Sequence, residues 1–376
     1  MAAVIAAGVV AALQVGKAAV AIPLLQAELG LTLGAVAWLA AIFPLVGVFG
    51  GVPAGSAVTA AGDRRILILG LGIIAAGSAA GAAASSYGLL LVSRVVEGLG
   101  FLLIVVAAPT ILRRITAECR RNQVLAGWSC FIPTGMALAL LLGPLFPGWR
   151  ALWWTTAALA AVAAVIVRLT VPAASKPKAV PWRQLAADVN ETVRSRSPLW
   201  LAACFGLYSV MYYAMFSFLP VMLIERMGVS HRTAGLMSAV AVAANIAGNL
   251  CAGSLLARGV ARPTLVTAAT LSMGVTALGI YLPLLADTPT FLLCVLFSAV
   301  AGVVPATLVS GASLLAPRTA LVPVTVGLVM QGSNLGQLAG PAIVGNLVAA
   351  QGWSAAAVVV ALTAVLAAGV ALRLRN

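Results

Sequence analysis

Twelve apolar windows of about 20 residues follow one another along this 376-residue chain, separated mostly by short polar connections. A helix satisfies its own backbone and crosses a bilayer in about 20 residues, and an open chain of any other kind leaves polar groups stranded in hydrocarbon. The windows lie near 3–26, 33–58, 66–84, 88–112, 122–145 and 151–170, then 200–224, 233–256, 264–285, 289–315, 322–349 and 354–372. The expected fold is therefore an all-α integral membrane protein with twelve transmembrane helices. Composition closes the alternative: 62% of residues are hydrophobic and 8% are charged, against about 25% charged in a soluble domain. A soluble enzyme or binding module is excluded. A cleaved leader is not expected, because no basic stretch precedes the first window and eleven more follow.

The formal charge of +14 has a topological meaning. With the N-terminus in the cytoplasm, 17 Lys and Arg fall in inside connections, among them Arg64, Arg65, Arg113, Arg114, Arg120 and Arg121. Only Arg150, Arg226 and Arg232 fall outside. That bias predicts both termini in the cytoplasm and leaves no reason to invoke nucleic acid. Lysine occurs only at Lys17, Lys176 and Lys178 amid abundant Ala and Gly, a usage typical of GC-rich bacteria. The expected setting is a bacterial inner membrane, with lipid around the bundle.

The longest connection, residues 171–199, divides the chain into 1–170 and 200–376. Its stretch WRQLAADVNETVRS has the apolar spacing of a short surface helix, and a plain linker fits as well. The two sides carry the same markers in the same order. Ala54-Gly55-Ser56 recurs as Ala252-Gly253-Ser254, offset 198; Pro109 recurs as Pro305, offset 196; Gly143-Pro144 recurs as Gly340-Pro341, offset 197. Gly-Trp opens both closing windows, at Gly148-Trp149 and Gly352-Trp353. Two six-helix pseudo-repeats of parallel topology are expected.

Over its full length the chain resembles the major facilitator superfamily. The connection after the second window reads Gly55 through Gly62-Asp63-Arg64-Arg65. It matches the family's loop motif at Gly55, Gly62, Arg64 and Arg65, while Thr59 and Ala60 depart from it. The fourth window reads Arg94-Val95-Val96-Glu97-Gly98-Leu99-Gly100, like the family's Arg-x-x-x-Gly-x-Gly. Gly135 to Gly143-Pro144 in the fifth window, and Gly332, Gly336 and Gly340-Pro341 in the eleventh, place small residues where helices approach closely. The stretches QVGKAAVAIPLLQAELGL and SRVVEGLGFLLIVVAAPT are similar to the cyanate-permease-like branch. The resemblance implies a monomeric secondary transporter that alternates access between its halves, and this branch implies small anionic solutes.

An ionisable group near the bilayer centre costs about 2.5–3.5 kcal/mol. Three lie deep in the windows: Lys17, Arg94 and Glu97, at depths of about 13, 10 and 15 Å at 1.5 Å per residue. They are the candidate site for an anionic substrate, with Glu97 as the proton-coupling group. A plain Arg94–Glu97 brace, with Lys17 bonded to backbone, remains open. Gln14 shares the Lys17 face, and Tyr208, Tyr212, Gln331 and Asn334 are candidate substrate-lining residues of the second half.

Nothing suggests catalysis. The five cysteines fall singly, His231 is the lone histidine, and no Walker-type Gly-Lys-Ser/Thr run occurs. No metal or cofactor is expected, and energy would come from an ion gradient or from the substrate's own. The expected activity is movement of a small organic or inorganic anion, with efflux of amphipathic drug-like compounds as the alternative.

Overall fold

The computed structural model describes residues 1–117, 124, 127–173, 187, 190–312, 315–318 and 321–374. Cys119, Arg120, Arg121, most of the 171–199 connection with Lys176, Lys178 and Arg183, and Arg375 lie outside the described residues. Among those described there is no strand. The first half contains α1 (Ala2–Leu29), α2 (Leu33–Ala41), α3 (Leu45–Ala61), α4 (Asp63–Ala82), α5 (Tyr87–Ile115), α6 (Phe131–Leu142) and α7 (Trp149–Thr170). The second contains α8 (Arg196–Phe216), α9 (Leu219–Met227), α10 (His231–Ala257), α11 (Arg262–Tyr281), α12 (Asp287–Ala301), α13 (Val303–Ala312), α14 (Val322–Gln351) and α15 (Trp353–Ala371).

Three windows expected as continuous helices are each split in two. Pro44 has no N–H to continue a ladder, so α2 stops at Ala41 and α3 starts at Leu45. Ser217-Phe218, just ahead of Pro220, separates α8 from α9, and Gly302 separates α12 from α13. Among the described residues eleven helices or helix pairs are long and apolar enough to cross a membrane. The remaining one, α14, has 30 residues but carries Gln331, Asn334, Gln337 and Asn346 along its length. Apolar side chains face outward, as Phe49 (74% exposed) and Leu169 (78%) show, which suits a lipid surround.

The repeat extends to helix ends. Gly30 closes α1 at φ 63°, and 198 residues later Gly228 closes α9 at the same φ. This left-handed cap strongly favours glycine. Thr32 then caps α2 through Ala35 N at 3.2 Å, as Ser230 caps α10 through Thr233 N at 3.1 Å. Within the first half α1 packs on α6 and α7, and α4 on α5 and α7; within the second α8 packs on α14, α10 on α12, and α11 on α15.

The halves meet where α14 follows α2 and α3, where α6 meets α10, and where α1 touches α9. A Cβ on Gly34 would stand 2.9 Å from Asn346 Oδ1, and one on Gly51 would stand 3.1 Å from Gly327 O. One on Gly235 of α10 would stand 2.6 Å from Leu140 O on α6. The halves are thus in backbone contact at glycines, the form of close packing that serves in lipid.

Candidate functional site

On α1, Gln14 and Lys17 sit three residues apart and share a face; Arg94 and Glu97 do the same on α5. Helices α4 and α7 complete the ring with Ser78, Trp153 and Thr156. Glycines let the helices approach: a Cβ on Gly77 would stand 3.0 Å from Glu97 Cγ, and one on Gly16 2.9 Å from Met136 O. All seven side chains are buried, with Gln14, Lys17, Arg94, Glu97 and Ser78 at 0% exposure.

Glu97 is gripped by two cations, one on each oxygen. Lys17 Nζ donates to Oε1 at 2.6 Å, and Arg94 Nη1 donates to Oε2. Lys17 also donates to Ser78 Oγ at 3.0 Å and Thr156 Oγ1 at 3.2 Å, so its three N–H groups are all used. Its ammonium lies 4.3 Å from the centroid of the Trp153 ring, whose π face favours a desolvated cation.

Arg94 satisfies the backbone at the break between α2 and α3. With the helix interrupted before Pro44, the Leu39 carbonyl has no ladder donor, and Arg94 Nε supplies one at 3.1 Å. Arg94 Nη2 reaches Gln14 O at 2.8 Å, and Phe43, inside the break, sets its ring 4.4 Å from the Arg94 guanidinium carbon. Irregular backbone at membrane depth is tolerated where protein groups resatisfy it or where it lines a cavity, and this break does both.

The cavity lies between the halves and has room for about one water molecule. The first half lines it with Val15, Ala19, Ala40, Phe43, Arg94 and Met136; the second with Tyr213, Phe216, Ser217 and Gln337. Arg94 is the one charged residue among them.

The structure therefore brings Gln14, Lys17, Arg94 and Glu97 together. Tyr208 and Tyr212 are not among the cavity-lining residues. They stack on each other at 5.7 Å, with Asn245 beside Tyr208 and Ser298 beside Tyr212, while Tyr213 and Phe216 of the same helix face the cavity. Gln331 and Asn334 do not line it either: they fill glycine slots of α3, where Cβ atoms on Gly51 and Gly47 would meet them at 3.0 and 2.5 Å. Gln337, three residues beyond Asn334, is the member of that stripe that lines the cavity. Ser78 and Thr156 escaped sequence reading because an isolated hydroxyl in an apolar helix carries no spacing signal.

The small-residue motifs form seams between helices. A Cβ on Gly135 would stand 2.6 Å from Val9 O of α1, and one on Gly143 2.8 Å from a Val20 methyl. In the second half a Cβ on Gly336 would meet Ser209 at 2.7 Å, and one on Gly340 would meet Val210 O at 2.6 Å, with Pro341 continuing inside α14. Pro144 instead packs on Gly235 across the halves.

In the loop motif, Gly55 lies within α3, and Gly62 turns the chain into α4 at φ 92°. Arg64 Nη1 donates to Val171 O at 3.0 Å, while Arg65 is exposed. The acidic partner is Asp63, which accepts from Arg114 Nε at 2.8 Å and Nη2 at 3.0 Å; Nη2 also reaches Pro172 O at 3.1 Å. Asp63 opens α4, where an anion suits the helix dipole; that signal was present in the sequence.

Comparison with known proteins agrees with this architecture. The chain is 31% identical to an uncharacterized MFS-type transporter, YbcL, of Bacillus subtilis over 193 residues, 49% of this chain and 48% of that one. It is 29% identical to a 3-(3-hydroxy-phenyl)propionate transporter of Escherichia coli over 208 residues, 52% and 49% of the two chains. The chain thus spans about half the length of these curated relatives. In fold it is similar to a bacterial homolog of the human lysosomal transporter Spinster in an inward-facing, occupied conformation. That likeness has a TM-score of 0.79 at 18% identity and covers 99% of this chain and 95% of the other. Residues 4–322 match the family model of the Major Facilitator Superfamily, and with the helix order and the inter-half cavity this shows that the chain belongs to that superfamily.

Proposed function

We propose that the protein is a secondary transporter for a small organic anion, moved by alternating access of the two halves, with a proton on Glu97 as coupling ion. The observation that carries this reading is Arg94, a fully buried guanidinium lining the cavity between the halves. Two cations and one carboxylate leave the cluster with a formal charge of +1, and a bound anion neutralises it. The Nε2 of Gln14 is a buried donor without an acceptor among the described residues, and a carboxylate held by Arg94 would supply one.

In this closed arrangement the cavity has room for about one water, so substrate enters only when the halves part; the walls then favour an anion with an aromatic body. Phe43 lies against Arg94, Tyr213 and Phe216 line the same cavity, and Gln337 offers both a donor and an acceptor. The Escherichia coli relative is named for 3-(3-hydroxy-phenyl)propionate, an aryl carboxylate of this kind. An anion on Arg94 competes with Glu97 for the guanidinium, which favours proton uptake at Glu97. Substrate and proton then bind with positive cooperativity, the linkage symport requires. The charge bias of the connections supports termini in the cytoplasm of a bacterial inner membrane.

Proteoliposomes test this with three probes: 3-(3-hydroxyphenyl)propionate, cyanate and tetraphenylphosphonium. We expect the aryl carboxylate to accumulate under an inward proton gradient. Movement of cyanate alone would assign the small-anion branch, and movement of the lipophilic cation alone would assign drug efflux.

A further inference from the structure

We infer that Ser78 is the positioning residue that reports the protonation state of Glu97 to Gln14. This rests on the proposed role of Glu97 as proton site. Ser78 Oγ lies 2.6 Å from Glu97 Oε1, 3.1 Å from Gln14 Oε1 and 3.0 Å from Lys17 Nζ, which donates to it. A hydroxyl has one proton, and here two acceptors compete for it. While Glu97 is ionised, the proton goes to the carboxylate, since a charge-assisted O–H···O⁻ bond of 2.5–2.7 Å is the stronger one. Gln14 Oε1 is then left with the longer, weaker contact.

When a proton binds Glu97 Oε1, that oxygen becomes a donor and Ser78 Oγ its acceptor. The Ser78 O–H rotates to Gln14 Oε1, and the chain of hydrogen bonds runs from Glu97 through Ser78 to Gln14. The only covalent bond made is the O–H of Glu97, its proton coming from water; the other changes are in hydrogen bonds. Gln14 is the residue whose backbone carbonyl holds Arg94 at 2.8 Å, so the rotation links the proton site to the α1 segment that positions the anion-binding guanidinium. The charged groups facing Glu97 among the described residues are Lys17 and Arg94. Helix α4 contributes Ser78, and α7 contributes Thr156 and the Trp153 ring through Lys17.

Infrared difference spectra of the protein in lipid vesicles, between alkaline and acidic buffer and without substrate, test this. The Glu97 carboxyl band is assigned by its loss in Glu97→Gln, and the Gln14 amide carbonyl band by its loss in Gln14→Leu. In the wild type, acidification should raise the first band and move the second. Ser78→Ala should keep the first and abolish the movement of the second; Ser78→Thr, which retains a hydroxyl, should restore it. A Gln14 band that still moves in Ser78→Ala, or that is still in the wild type while the Glu97 band rises, overturns the relay alone. Absence of any acid-induced band lost in Glu97→Gln overturns the proton site itself, and the relay with it.

Discussion

Glu28 Oε2 accepts a hydrogen bond from the indole Nε1 of Trp149 at 2.7 Å, tying the end of α1 to the start of α7. In the second repeat Glu225 accepts from Trp353 Nε1 at 2.9 Å and ties α9 to α15. The two carboxylates are 197 residues apart, so the repeat preserves an interaction as well as a helix order. Trp149→Phe and Trp353→Phe keep a ring and delete the donor. Each should cost about 1 kcal/mol, read as similar falls in the thermal unfolding midpoint. A loss at one site only would show that the two latches are not equivalent.

Arg94→Lys keeps the charge but not the fork. A lysine cannot reproduce the geometry that serves Leu39 O, Gln14 O and Glu97 together. Affinity for an aryl carboxylate should fall at least about tenfold, or 1.4 kcal/mol, by calorimetry on purified protein. Wild-type affinity in this variant would mean that charge alone suffices.

Lys17→Gln removes the cluster's excess positive charge while retaining a polar side chain. Lys17 does not line the cavity, so its effect on an anion must be electrostatic. Anion uptake should be lost with the protein still folded. Normal uptake would show Lys17 to be a brace for Glu97 and no more.

Glycine seams differ in how much they can yield. Behind Gly340 stands the Val210 carbonyl at 2.6 Å, whereas behind Gly143 stand Val20 methyl groups at 2.8 and 2.9 Å. Backbone cannot rotate away and a side chain can. Transport should therefore fall further in Gly340→Leu than in Gly143→Leu, with Gly72→Leu, which meets nothing within 4 Å, as the tolerant control. The reverse ranking between the first two would contradict this account.

Glu191, just ahead of α8, accepts from Arg318, in the segment after α13, with Nε donating to Oε1 at 2.7 Å. The hydrogen bond from Arg318 holds the Glu191 carboxyl below its ordinary value of 4.5. A depressed carboxylate adds stability above its unfolded value and loses it as pH falls through the folded one. Protection of the 190–195 segment from amide exchange should thus drop below about pH 4.5 and be insensitive to pH above it. Glu191→Gln should abolish that dependence.

How much of this was legible in the chain follows from what each feature depends on. The order of the apolar helices, the recurring markers and the place of Lys17, Arg94 and Glu97 inside apolar helices were readable, because length, hydropathy and the cost of a buried charge are properties of each segment by itself. The sequence also placed the small-residue seams at Gly135, Gly143, Gly336 and Gly340. Which side chains meet was decided by tertiary structure. Tyr213 rather than Tyr208 or Tyr212, and Gln337 rather than Gln331 or Asn334, face the cavity. Ser78 joins Glu97 from a helix with no other sign of a site, and the Pro44 break matters because it frees a carbonyl for Arg94. The physical reason is the solvent. In water an apolar stripe tells which face of a helix turns inward; in lipid all faces of these Ala- and Gly-rich helices are apolar alike. Their rotation is set by close packing at glycines and by hydrogen bonds between helices, neither of which exists until the helices have met.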